Sequence, residues 1–159
     1  MKTVGFERHD HDTCQALTVR AVEAHCKREG LQLTPVRKRV LELLIEDHRA
    51  FGAYEVLGRL QEEGLGSHAP AAYRALDFLV AQGFAHRIER LNAFIACSHP
   101  AEQHAPAFLI CRACKSVVET PGVELGSKLE AQADTVGFRI EHAAIEAEGI
   151  CPNCASEDA

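Results

Sequence analysis

Within residues 14–28 the apolar positions Val19, Val22 and Cys26 recur at three- and four-residue intervals, the spacing of one helix face. Gly30 ends that helix. Thr34-Pro35 then offers a hydroxyl N-cap followed by a proline suited to the first helical position. The stripe Val36, Val40, Leu43 and Leu44 predicts a second helix, with Arg37, Lys38 and Arg39 around its first turns. A third is predicted over residues 53–63, with Val56, Leu57 and Leu60 inward and Gly64 as its stop. Residues 69–82 open with Pro70 and close at Gly83, the asymmetry of a fourth helix. Ala72, Leu76, Leu79 and Val80 share its inner face, and Arg74 points the opposite way. The period then changes to strict alternation over residues 84–89 and 93–97, with Arg90-Leu91-Asn92 between them, which predicts a β-hairpin. Three helices followed by a hairpin is the order of a winged helix-turn-helix, whose last helix enters the major groove.

Residues 98–106, with two prolines and few apolar positions, read as a hinge. Strands are predicted over 107–111 and 116–120, a helix over 123–136, and a last strand over 138–146 leading into Cys151-Pro152-Asn153-Cys154. The fold class is α+β. A mobile N-terminal arm (1–13) is expected, then a winged-helix domain (14–97), the hinge (98–106) and a small α/β domain (107–155).

Composition adds one asymmetry to this picture. At 159 residues and 47% apolar content the chain fits one domain or two small ones. No apolar run is long enough to span a bilayer, and residues 1–12 carry His and Asp where a signal peptide would be apolar. A soluble, cytoplasmic protein is therefore expected. Residues 1–92 hold 13 Lys+Arg against 13 Asp+Glu, whereas residues 93–159 hold 4 against 10, so the whole net charge of −6 lies in the C-terminal part. That part is a poor surface for nucleic acid. A DNA contact must come from local basic residues in the neutral N-terminal half.

The seven cysteines point to metal rather than disulfides in a reducing compartment. Cys111/Cys114 and Cys151/Cys154 are two Cys-x-x-Cys pairs. A two-residue gap lets both thiolates of a pair face one ion, and two pairs complete a tetrahedral sulfur shell for zinc or, less often, an iron–sulfur centre. The 36 residues between the pairs exceed the roughly 15–20 of a compact zinc ribbon and leave room for a helix and strands. A second group of ligand types surrounds the hairpin and hinge: His86, Cys97, His104 and Glu119. One thiolate, two imidazoles and a carboxylate make a closed four-coordinate shell suited to zinc. Such a site draws on both halves of the chain, so filling it fixes their orientation. Elsewhere the plainer readings hold. Cys26 is a small core residue, His9, His11 and Cys14 belong to a solvated tail, and His99 with His142 is too sparse a pair for a third site.

The stretches Leu33-Thr34-Pro35-Val36-Arg37, Ala72-Tyr73-Arg74-Ala75-Leu76-Asp77-Phe78-Leu79 and Gln82-Gly83-Phe84-Ala85-His86 resemble the ferric uptake regulator family. Within it they are most similar to the zinc uptake regulator branch. The likeness extends from Cys14 to Cys154. It implies a structural zinc on Cys111, Cys114, Cys151 and Cys154, and a regulatory zinc on His86, Cys97, His104 and Glu119, two Zn²⁺ per chain. It implies that Tyr54 and Arg74 contact operator bases, with Tyr73 and Arg37 nearby on the DNA face. It also implies a homodimer formed through the C-terminal domain, and an A·T-rich palindromic operator upstream of zinc-uptake genes. The activity implied is zinc-responsive transcriptional repression, with no catalytic residues.

Two departures from the family pattern stand out. The His-rich segment before the first Cys pair in iron- and peroxide-sensing members is reduced to His99 and His104. The usual Thr-Val before Tyr-Arg is Ala71-Ala72, which removes a hydroxyl that could hold a phosphate. Cys97 favours zinc over iron, because iron(II) and manganese sensors favour nitrogen and oxygen ligands. Two alternatives remain open to the residues. One is an iron-, manganese- or peroxide-sensing member of the same family; the other is a zinc-dependent enzyme, which would need an open coordination position that neither shell offers.

Overall fold

A computed structural model of the chain describes Phe6 and residues 11–65, 68–100 and 105–157. Arg8–Glu102 and Gln103–Ala159 lie in separate compact units. In the first, α1 (His11–Glu29), α2 (Pro35–Ile45), α3 (Ala53–Glu62) and α4 (Ala69–Ala81) precede a hairpin of β1 (Ala85–Ile88) and β2 (Ala93–Ala96). Most of the expected arm lies outside the described residues. The first helix starts at His11, three residues before the position its apolar period suggests, because Asp12 and Thr13 suit a first helical turn without contributing to the buried stripe.

The helices meet through the faces their periods define, except that Val80, expected on the inner face of α4, is 37% exposed. Val22 and Cys26 of α1, Val40, Leu43 and Leu44 of α2, Val56 and Leu60 of α3, and Leu76 and Leu79 of α4 are buried in one core with Phe51 and Phe84. The Thr34 hydroxyl accepts the Arg37 N–H at 3.3 Å, and Pro35 sits at the helix start, as the N-cap reading requires. At the end of α4, Gly83 takes φ +74°, a left-handed geometry that L side chains resist, and Phe84 N–H reaches back to Leu79 O at 2.8 Å. That reversal sends the chain directly into the hairpin.

In the hairpin Ala85 faces Ala96 and Ile88 faces Ala93. Phe51 exchanges both backbone hydrogen bonds with Phe94, each 2.8 Å, adding a third short edge that periodicity did not indicate. Helices with a two-stranded wing make this unit a winged helix-turn-helix.

The second unit is a three-stranded sheet in the order β4-β3-β5, formed by β3 (Pro106–Cys111), β4 (Val117–Pro121) and β5 (Glu146–Gly149), with α5 (Val123–Thr135) and the short α6 (Pro152–Glu157). β3 runs antiparallel to β4 and parallel to β5. The last strand is displaced from its expected place. Residues 138–145 form no strand, and pairing occurs only at 146–149. The apolar alternation of Phe138 and Ile140 suggested a strand, but Phe138 is 62% exposed and Ile140 only half-buried, so the alternation marks no buried strand face. β5 is an edge strand of Glu, Ala, Glu and Gly, held by backbone pairing to β3, so no apolar pattern marks it. The α5 helix buries no side chain; Val123, Leu125 and Leu129 are all exposed.

Candidate metal centres and nucleic acid interface

The sulfur cluster follows from the sheet of the second unit. β3 ends at Cys111, and a tight knuckle returns the chain to β4: Cys111 N–H donates to Ser116 O at 2.9 Å, and Lys115 takes φ +63°. Parallel pairing sets Cys111 against Gly149, so the segment leaving β5 delivers Cys151 beside the knuckle. Pro152 then opens α6, which carries Cys154 round to the same point. The ligand atoms of Cys111, Cys114, Cys151 and Cys154 all lie within 4.8 Å of one another.

Zinc–sulfur bonds of about 2.3 Å at tetrahedral angles place sulfurs about 3.8 Å apart, and Cys114 Sγ and Cys151 Sγ are 3.8 Å apart. That distance is far beyond a disulfide, and all four cysteines are free.

The surroundings favour negative sulfur. Cys111 Sγ receives the Cys151 N–H at 3.4 Å, and Cys151 Sγ receives the Cys154 N–H at 3.4 Å. Backbone N–H groups of Cys114 and Cys151 pull the Cys111 thiol down to about 6. Ser116, whose hydroxyl lies 3.1 Å from Cys114 Sγ, lowers Cys114 as well. The contacts from Cys151 and Cys114 push the Cys154 thiol up to about 12. Four sulfurs this close cannot all ionise alone, and a divalent cation removes that conflict. The donor set and its geometry therefore fit a structural zinc held by these four residues.

The second ligand set divides between the units. On the wing, His86 faces Ile95 across the ladder, and Cys97, two residues beyond Ile95, is its diagonal neighbour on the same face. The ring nitrogen of His86 and the Cys97 sulfur come within 4.8 Å. Cys97 is almost fully buried; its N–H donates to Phe84 O at 2.9 Å, and its sulfur accepts the His99 N–H at 3.4 Å. In the other unit Glu119 lies on β4 opposite Phe108, eight residues after Cys111. It is the one buried charged side chain among the described residues. A carboxylate loses most of its hydration when buried and needs compensating charge or donors. His104 lies outside the described residues. His99 and His142 fall in different units, and Cys14 is half-buried on α1.

The predicted nucleic-acid residues occupy the exposed side of the winged helix. Tyr54, at the second position of α3, is 81% exposed, and Tyr73 and Arg74 project from α4 opposite the buried Ala72, Ala75 and Leu76. Much of the positive charge around them is already compensated. Lys38 pairs with Glu23 at 2.6 Å. Arg39 pairs with Glu63, Glu42 and Glu46 at 2.6, 3.2 and 3.3 Å. Arg49 pairs with Glu55 and Asp47. Within the basic cluster only Arg39 meets Glu42 and Glu46, and Arg59 adds a second pairing to Glu46 at 3.0 Å. Arg37 instead stacks on Phe78. Periodicity placed Phe78 on α4 without revealing that contact, although its position four residues after Arg74 was visible.

The model of the ferric uptake regulator family matches residues 28–148. The zinc uptake regulation protein of Escherichia coli (strain K12) is 36% identical over 149 residues, covering 92% of this chain and 86% of its own. Among solved structures, holo XcZur matches with a TM-score of 0.81 at 43% identity, covering 89% of this chain and 99% of that one. A zinc uptake regulator complexed with zinc and DNA matches with a TM-score of 0.84 at 35% identity, over 92% of this chain and 97% of that one.

Proposed function

The chain belongs to the ferric uptake regulator family, and from that premise we propose that it is a zinc-responsive, DNA-binding transcriptional repressor of zinc-uptake genes. It acts as a cytoplasmic homodimer on an A·T-rich palindromic operator and carries out no catalysis. The observation that carries the metal assignment is the approach of His86, on β1, to the buried Cys97 just past the end of β2. Thiolate with imidazole selects zinc over iron(II) or manganese. The relatives named for zinc uptake, and the one solved with zinc and DNA, support the same reading.

In this reading His86, Cys97, His104 and Glu119 hold the regulatory zinc, and the four paired cysteines hold the structural one. The first set takes residues from both sides of the hinge at 98–106. Saturating it restricts the hinge and holds two winged helices at the half-site spacing of a dimer. A hundredfold difference in operator affinity between the zinc-loaded and zinc-free states requires about 2.8 kcal/mol of coupling, well within what one metal site supplies. Tyr54 and Arg74 read bases, while Tyr73 and Arg37 contact the flanking region. An arginine bidentate to guanine discriminates by about 1–3 kcal/mol.

The second copy is placed on the exposed apolar face of Val123, Leu125, Leu129, Val136 and Phe138, which the chain itself leaves uncovered. Of these, Leu129, Val136 and Phe138 border a groove of about 420 Å³ between the end of α5 and residues 138–144.

The test is fluorescence anisotropy of a duplex selected from a random library by the zinc-loaded protein. Binding is followed at buffered free zinc, iron(II) and manganese(II). Tight binding with zinc alone, at concentrations where the other two metals leave the duplex free, is the expected result. Equal binding with iron(II) or without metal contradicts the proposal.

A further inference from the structure

Arg37, Lys38 and Arg39 are consecutive in sequence, yet the fold gives them different surroundings. Lys38 and Arg39 are held by carboxylates of Glu23 and Glu63. Arg37 has no acidic partner among the described residues. Its guanidinium carbon lies 3.9 Å from the centroid of the Phe78 ring, and Nη1 donates to the Gln32 carbonyl at 2.6 Å. Phe78 follows Arg74 by four residues on α4. Residues four apart are neighbours on a helix surface, and helical side chains lean toward the N-terminus, so the Phe78 ring lies toward the turn that carries Arg74.

This ring is itself fixed. Its edge contact with the fully buried Phe84 has a centroid distance of 6.3 Å and an interplanar angle of 62°. Phe84 in turn meets His25 of α1 at 5.5 Å.

We propose that Phe78 is a positioning residue for DNA binding: its ring holds the Arg37 guanidinium as a phosphate contact beside the groove that α4 enters. The proposal rests on the DNA-binding reading above. A guanidinium held over a ring face by cation–π attraction keeps N–H donors at its edge for other partners. One donor is spent on Gln32, and the others remain for a phosphate oxygen. A flexible arginine would have to be ordered on binding; this one is already ordered in the free protein. Because the same helix carries Arg74, a phosphate bound by Arg37 sets the register in which Arg74 meets the bases.

The test measures binding of the selected duplex by the full-length, zinc-loaded chain over a range of salt concentrations. R37Q, F78L, F78Y and the R37Q/F78L pair are compared with the parent chain, and thermal midpoints are recorded for each. R37Q is expected to weaken binding about tenfold at fixed salt, the scale of one charge-assisted hydrogen bond. It should also reduce the slope of log K against log salt by about 0.9, the signature of one lost phosphate contact. F78L should reproduce the slope change and add nothing in the R37Q background. F78Y, which restores a ring, should restore the slope. A merely structural loss at Phe78 lowers the thermal midpoint without altering the slope; should F78L fail to melt cooperatively, F78M carries the same expectation. An F78L slope equal to that of the parent, or additive losses in the pair, overturns the proposal. Absence of zinc-dependent binding by the parent chain overturns the functional reading on which it rests.

Discussion

Cys151→Ser removes one of four sulfurs from a site around which the second unit is built. Cys151 is 3% exposed, its Sγ lies 3.8 Å from Cys114 Sγ, its N–H donates to Cys111 Sγ, and its sulfur accepts the Cys154 N–H. Structural zinc in small thiolate sites contributes about 10–16 kcal/mol of apparent folding free energy at neutral pH. A whole domain is typically stable by only about 5–15 kcal/mol. This unit has little apolar packing in reserve: its strands bury Ala107, Phe108, Ile110, Val117 and Val118, while α5 buries nothing. Losing most of the metal contribution should therefore unfold it. The first unit has its own core across α1 to α4 and should survive. Hydrogen exchange resolved by segment is the suitable assay. In Cys151→Ser, amides of β3 and β4 should exchange at the rate of an unfolded chain, while those of α2 and α4 keep their protection. Zinc content should fall with the lost protection. Persistent protection in β3 and β4 after zinc loss would refute the reasoning, because the sheet would then stand without its sulfur clip.

Other perturbations separate the remaining roles. Cys97→Ser should leave one zinc per chain bound and the fold intact while raising the zinc concentration needed for operator binding by at least tenfold, read by anisotropy in buffered zinc. Leu129→Glu, on the exposed apolar face, should convert the dimer to monomer in sedimentation analysis and abolish tight operator binding. Glu63 and Glu55 are held below the ordinary carboxyl value of 4.5 by hydrogen bonds from Arg39 and Arg49. The folded state therefore binds fewer protons than the unfolded chain, and this contribution to stability is present above pH 4.5 and is lost as pH falls through the folded values. Arg39→Met should flatten the acid limb of the first unit's stability–pH curve, read from the exchange protection of α2 and α4 amides between pH 5 and 3. An unchanged limb would contradict the pairing.

The parts of the fold that bury their own side chains were the legible ones. Val40, Leu43 and Leu44 mark α2, and Ala72, Leu76 and Leu79 mark α4, because an amphipathic period records which face meets the core. Where pairing runs through the backbone, that record is absent. β5 consists of Glu146 to Gly149 and is invisible to an apolar pattern, while the apolar Phe138 and Ile140 point to a strand the chain does not form. Those residues are apolar without being buried in their own chain, consistent with a surface that a second copy covers. The four-cysteine site was legible because its spacing is itself the chemistry. The Phe51–Phe94 bridge and the stack of Arg37 on Phe78 depend on tertiary approach, and nothing local announces them. The basic cluster at 37–39 also looked uniform until three carboxylates claimed Arg39.

The proposed function divides the labour: paired cysteines would maintain the fold, and His86 and Cys97 with Glu119 and His104 would report zinc. Zinc bound per chain and operator occupancy should therefore be measured together on one sample as free zinc is raised from a metal-depleted start. The account predicts that the first equivalent leaves the operator largely free and that occupancy rises with the second. Full operator binding at one zinc per chain, or occupancy indifferent to the second, would contradict it.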